Sequence, residues 1–66
     1  MAERWPAAML FSTAAEYLDC SIAQIERLVR NRDLGPVQYM PRGDRRLLRT
    51  EIDNYLERIR DEKVVA

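Results

Sequence analysis

The stretch that decides the fold is LFSTAAEYLDCSIAQIERLVRNRDLGPVQYMPRGDRRLLRTEIDNYL, residues 10–56. It contains two short helical patterns on either side of a tight turn. An arginine-rich segment follows, PVQYMPRGDRRLLR at residues 36–49, which we call the wing segment. An amphipathic helical pattern closes the stretch, and this order of elements predicts a mainly α fold with a small β-hairpin.

The first two helices are predicted from their caps and from their apolar spacing. Ser12 is a suitable N-cap for a short helix over about residues 13–19. Ser21 and Gln24 have the spacing of a capping box, in which each side chain bonds to the backbone N–H of the other residue. A second helix is therefore predicted over about residues 22–32.

The second helix is predicted to bury one face and to end before a glycine-proline pair. Its apolar face is formed by Ile25, Leu28 and Val29, and its outward face by Gln24, Arg27, Arg30 and Asn31. Asn31 tolerates the left-handed conformation that commonly ends a helix. Leu34 is predicted to fill the core between the helix and the wing segment.

The wing segment is predicted to be a hairpin, followed by a capped helix. Residues 37–40 and 45–49 have strand character, and Gly43 is expected to supply a positive φ in the turn between them. Thr50 is the predicted N-cap of the last helix. The apolar stripe of that helix consists of Ile52, Tyr55, Leu56 and Ile59.

Length and composition limit the chain to one small domain. It has 66 residues, of which 47% are hydrophobic and 33% charged. We expect a lead-in at residues 1–9 that packs on the core through Trp5, a domain at residues 10–60 and a flexible tail at residues 61–66. The apolar run at residues 5–11 is too short to cross a membrane, so no membrane partner is predicted.

The residue types predict no metal site, no cofactor and no catalysis. The chain has no histidine and one cysteine, Cys20, which has no partner for an internal disulfide. These features favour a cytoplasmic setting. No glycine-rich phosphate loop or substrate pocket is predicted, so we expect no small-molecule substrate. Cys20 is best explained as an apolar contact of Ile25 at the start of the second helix.

Charge is segregated along the chain, although the formal net charge is zero. Residues 21–49 contain seven arginines and three acidic residues, a net charge of +4, and the flanks together carry −4. Arginine makes bidentate contacts with phosphate and guanine. A helix-turn-helix followed by a basic hairpin thus predicts a winged helix-turn-helix domain whose partner is double-stranded DNA.

FSTAAEYLDCSIAQIERLVRNRDL, followed by PRGDRRLLRTEIDNYLE, resembles the MerR-superfamily winged-helix module of phage and plasmid excisionases and related small DNA-binding proteins. The resemblance covers about residues 10–57 and rests on the order and spacing of these motifs. It implies that the second helix is the recognition helix, and that the arginines of the wing segment contact the minor groove or the backbone. The predicted DNA-binding residues are Ser21, Ala23, Gln24, Arg27, Arg30, Arg42, Arg45 and Arg46.

The residue roles have alternatives. Gln24 is suited to reading adenine but also completes the capping box, and Arg27 and Arg30 also fit a solvated helix face. Arg32 stands where the family commonly has glycine, and Ile22 where a polar side chain is usual near DNA. Alignment with the family turns Leu47 inward and Leu48 outward, and Leu48 with Tyr39 or Met40 fits a contact between neighbouring copies on DNA.

The resemblance implies an excisionase, which binds near an attachment site in several copies, bends or organises the DNA and directs an integrase towards excision. A small MerR-like transcription regulator and the DNA-binding part of a phage terminase small subunit are alternatives within the same module. A further alternative is a protein adaptor that uses the acidic last helix. Its acidic residues are Glu51, Asp53, Glu57, Asp61 and Glu62.

Overall fold

The computed structural model describes residues 5–38 and 41–62, which form three helices and a two-stranded antiparallel sheet. In chain order the elements are β1 (Ala8–Met9), α1 (Phe11–Leu18), α2 (Ile22–Arg30), β2 (Leu47–Leu48) and α3 (Arg49–Glu62). The mainly helical prediction is therefore confirmed. No helix of the described residues is long and apolar enough to cross a membrane.

The sheet joins the lead-in to the return strand of the wing segment, a pairing that the sequence did not predict. In β1 and β2, Ala8 lies opposite Leu48 and Met9 lies opposite Leu47. The N–H of Arg49 continues this ladder by donating to a carbonyl of the lead-in, that of Ala7, at 2.8 Å. The lead-in is thus part of the sheet and not only packed against it.

The predicted hairpin is corrected by this pairing. Among the described residues, its two arms meet only at the bridge between Val37 and Arg46, where each N–H donates to the other carbonyl at 2.7 Å. Residues 39 and 40 of the predicted strand lie outside the described residues. The prediction for Gly43 is wrong, because no described glycine has a positive φ; its carbonyl instead accepts a hydrogen bond from Gln38 Nε2 at 2.9 Å.

The core is built from all five elements and from the loop after α2. Its buried apolar residues among those described are Met9, Ala14, Ala15, Ile25, Leu34, Leu47 and Ile52. The inward positions predicted for Leu34 and Leu47 are confirmed, and Leu48 points outward as expected. Trp5 packs against this core and meets the Tyr17 ring edge-on at 5.1 Å, which confirms its predicted role.

Helix α1 begins earlier than predicted, and Ser12 is not its cap. The helix starts at Phe11, directly after the extended residue Leu10, whose carbonyl accepts a hydrogen bond from Ala14 N–H at 2.8 Å. Only Leu10 separates strand β1 from helix α1, so Ser12 lies inside the first turn of the helix. The helix ends at Leu18, before the left-handed Asp19, one residue earlier than expected.

Helix α2 has the predicted start and a different end. The capping box between Ser21 and Gln24 is present. The helix stops at Arg30, and the left-handed residue after it is Arg32, with φ of 66°, and not Asn31, with φ of −83°. The N–H of Arg32 donates to the Val29 carbonyl at 3.0 Å, and the next N–H closes a 2.8 Å bond to the Leu28 carbonyl. These two bonds define a Schellman motif, whose geometry places the positive φ at Arg32.

Helix α3 also differs from prediction at its start and in its apolar face. It begins at Arg49, so Thr50 lies inside the helix and is not its N-cap. The helix runs to Glu62, which makes residues 61 and 62 of the expected tail helical. Ile52 is fully buried and Tyr55 and Ile59 are half-buried, but Leu56 is exposed, contrary to prediction.

Candidate nucleic-acid interface

The outward face of α2 carries five of the predicted DNA-binding residues, and all are exposed: Ser21, Ala23, Gln24, Arg27 and Arg30. They are held by the packing of the opposite face, where Ile25 is fully buried and Leu28 and Val29 pack against the core. Helix α1 contacts α2 and is joined to it by residues 19–21. The arrangement presents α2 on the protein surface with α1 supporting it.

The capping box determines which part of Gln24 is available to a partner. Gln24 Oε1 accepts hydrogen bonds from the backbone N–H of Ser21 at 2.9 Å and from its hydroxyl at 3.3 Å. The Ser21 hydroxyl oxygen accepts in turn from Gln24 N–H at 3.1 Å. Because both lone pairs of Oε1 are used, the amide nitrogen is the free half of the side chain. A bidentate contact with adenine needs both halves, so this conformer is suited to donating only.

Arg45 brings the wing segment against the two N-terminal helices. Its guanidinium carbon lies 5.7 Å from the centre of the Phe11 ring, a cation–π geometry. Arg45 itself is exposed, and it lines a groove of about 330 Å³ together with Glu26, Val29 and Arg30 of α2. Two predicted DNA-binding residues that are distant in sequence, Arg30 and Arg45, are therefore neighbours in space.

A second groove, of about 560 Å³, is strongly cationic. It is lined by Val29, Arg30, Arg32, Leu34, Gly35, Pro36 and Arg45. No carboxylate contributes to this lining, and no described acidic residue forms an ion pair with any of the three arginines. The neighbouring groove of about 380 Å³ has a different character, because Glu26 and Asp44 line it beside Arg45.

Arg58 and Arg60 of α3 have partners on their own helix. Arg60 pairs with Glu57 at 3.3 Å and lies 3.9 Å from Asp61. The guanidinium of Arg58 lies 5.6 Å from the centre of the Tyr55 ring. Apart from Arg58, five exposed arginines form no ion pair with a described residue, and they lie in α2, in the loop after it and in the wing segment: Arg27, Arg30, Arg32, Arg42 and Arg45.

Arg46 and Arg49 hold the lead-in. Arg46 is half-buried, and its Nη1 donates to the Ala8 carbonyl at 3.4 Å. Arg49 Nη1 donates to the Trp5 carbonyl at 2.8 Å. Arg46 was predicted to contact DNA, and the structure gives its guanidinium a role within the protein. Arg42, the other predicted residue of the turn, is exposed.

The acidic residues of α3 are partly used inside the fold. Glu51 accepts a hydrogen bond from the N–H of Gly35, and Asp53 accepts one from the Tyr17 hydroxyl at 2.6 Å. Two of the five carboxylates of the adaptor alternative therefore fasten α3 to the loop after α2 and to α1. The described residues contain no group of three or more histidine, cysteine and acidic side chains arranged to hold a metal ion.

Cys20 is a half-buried thiol packed against the core. Burial raises its pKa above the usual range, and the neighbouring carboxylate of Asp19 raises the pKa further. Both effects favour the protonated thiol, which is the less reactive form. This environment fits the predicted apolar role of Cys20.

Sequence reasoning did not identify Arg32 and Phe11 as members of this surface. Arg32 was noted only as a departure from glycine, and its place in the groove depends on the left-handed turn after α2. No sequence motif pointed to Phe11 as a contact of Arg45, because the two residues are 34 positions apart.

Comparisons with protein-family models, with curated proteins and with solved structures found no match to this chain.

Proposed function

We propose that this chain binds double-stranded DNA through the outward face of α2 and the arginines beside it. The observation that carries the proposal is the cationic groove, which Arg30, Arg32 and Arg45 line without a carboxylate, although Glu26 shares the smaller neighbouring groove with Arg30 and Arg45. Unpaired guanidinium groups close together repel one another, and a phosphate backbone neutralises them. The pattern is thus better suited to a polyanion than to an uncharged ligand.

The proposed mode of binding is that of a winged helix-turn-helix. The start of α2 enters the major groove with Ser21, Ala23 and the amide nitrogen of Gln24. The small side chains of Ser21 and Ala23 allow the helix to approach the base edges closely. Arg42 and Arg45 of the wing segment contact the adjacent backbone. Arg30, at the end of α2, lines the same groove as Arg45 and contacts the same backbone.

The biological role that we propose, on the resemblance to excisionases, is to control the direction of recombination. The chain binds near an attachment site in several copies, bends or organises the DNA and directs an integrase towards excision. Contacts from a helix in one groove and from a basic segment beside it hold a deformed duplex, and adjacent copies add their deformations.

A salt titration of binding to duplex DNA tests the proposed partner. The affinity should fall with a slope of about −0.9 log units per log unit of salt for each phosphate neutralised. Arg45→Ala should make this slope shallower by about 0.9. Arg60→Ala removes the same charge from α3, where Arg60 pairs with Glu57, and should leave the slope unchanged. Binding that is weak and insensitive to salt in the wild type would refute the proposal.

The excisionase role needs a separate assay. The purified chain is added to a recombination reaction that contains an authentic integrase and its attachment sites. We expect an increase in excision products and several shifted complexes on the site DNA. Salt-dependent DNA binding without any change in recombination products would retain the DNA partner and reject the excisionase role.

A further inference from the structure

Arg32 occupies a backbone conformation that its residue type disfavours. Its φ is 66°, in the left-handed region where the Cβ of an L-amino acid approaches the carbonyl oxygen. Glycine is the usual residue at this position of a Schellman motif, because it has no Cβ. The chain thus has an unfavourable residue at a position where glycine would fit the fold better.

The described residues offer the side chain of Arg32 no bond that would offset this cost. Arg32 is exposed, and no described residue makes an ion pair or side-chain hydrogen bond with it. Arg46 and Arg49 contrast with it, since both donate hydrogen bonds to the lead-in. A structural role therefore does not explain why position 32 is arginine.

The place of Arg32 supplies an explanation. It lines the cationic groove with Arg30, the last residue of α2, and with Arg45 of the wing segment, so two parts of the chain contribute arginine side chains to one concavity. The groove is about 560 Å³ in volume, and its remaining lining is apolar side chains, Gly35 and Pro36. Guanidinium groups that converge in this way match the tetrahedral oxygens of a phosphate.

We propose that Arg32 binds phosphate and forms, with Arg30 and Arg45, a phosphate-binding site for a phosphodiester of the DNA backbone. This inference rests on the proposed DNA-binding function and extends it to a residue that the sequence did not assign. The adjoining groove, which Glu26 and Asp44 line beside Arg45, is less favourable for phosphate. The DNA backbone is accordingly expected to follow the side of α2 that leads to Arg32.

The test uses the opposite effects that Arg32→Gly should have on stability and on binding. Glycine relieves the left-handed strain, so the midpoint of thermal unfolding should rise by a few degrees. The same substitution removes one phosphate contact, so the salt slope for duplex binding should become shallower by about 0.9. Arg32→Lys keeps the charge and should keep the slope, while losing the bidentate part of the affinity.

Arg60→Ala is the charge-matched control and should leave the salt slope at the wild-type value. If the wild type shows steep salt dependence but Arg32→Gly has the wild-type slope, the proposed phosphate-binding site is refuted and the proposal of DNA binding stands. If the wild type itself fails to bind duplex DNA, the proposed function falls and this inference falls with it. A more stable Arg32→Gly variant with a shallower slope supports both.

Discussion

Met9 offers the sharpest test of how this fold is held together, because it belongs to the lead-in and yet lies in the core. Its side chain is fully buried, and it faces Leu47 across the two-stranded sheet. Met9→Ala removes most of that side chain from a packed interior, and such truncations cost about 2–5 kcal/mol. A domain of 66 residues has a total stability of roughly 3–10 kcal/mol.

The substitution should therefore remove a large part of the stability. At about 4–8 °C per kcal/mol, we expect the midpoint of thermal unfolding to fall by roughly 8–40 °C. Leu48→Ala is the matched control, because Leu48 is the neighbouring strand residue and is 36% exposed. Its truncation should cost less than about 1 kcal/mol.

Urea unfolding followed by two probes measures the effect. Far-UV circular dichroism reports the helices, and the fluorescence of Trp5, the only tryptophan of the chain, reports the lead-in, where its ring meets Tyr17. The two transitions should coincide if the lead-in unfolds with the helices. A Met9→Ala variant as stable as Leu48→Ala, or a Trp5 transition well before the helical one, would refute the reasoning.

Two further predictions concern the hydrogen bond between Tyr17 and Asp53 and the groove of about 380 Å³ that Glu26 and Asp44 line. Tyr17→Phe removes the hydroxyl that donates to Asp53 at 2.6 Å and leaves a partly buried carboxylate without that donor. The free energy of unfolding measured by urea titration should therefore fall by about 1–2 kcal/mol. A variant of unchanged stability would contradict this prediction. Glu26→Gln removes a negative charge from the groove beside Arg45, so the affinity for duplex DNA at low salt should rise about two- to threefold. Glu57→Gln on α3 is the control and should have no such effect. Equal gains from both variants would mean that only the net charge of the protein matters.

Local sequence signals predicted features whose cause is itself local. The capping box of Ser21 and Gln24 is present because its hydrogen bonds join residues three positions apart. The inward position of Ile25 follows from the period of the helix, which places apolar side chains on one face. The exposed polar face of α2, and with it most of the candidate DNA-binding surface, follows from the same period.

The predictions for Asn31 and Gly43 failed on local backbone conformation, whereas other corrections came from contacts across the fold. Thr50 has the residue type of an N-cap, but pairing of the strands sets the start of α3 at Arg49, whose N–H donates to the Ala7 carbonyl. Leu56 fits the apolar stripe, yet its side chain is exposed. Neither outcome can be read from neighbouring residues, because each depends on what lies across the fold.

The sequence by itself determined the helical character, the charge segregation and the residue types of the proposed DNA-binding surface, since these depend on composition and on short-range spacing. Only the tertiary structure decided that the lead-in pairs with β2 and that Arg46 serves the lead-in. It also decided that Arg30, Arg32 and Arg45 share one groove. These features depend on strand pairing and on a left-handed turn, which bring together residues that are far apart along the chain.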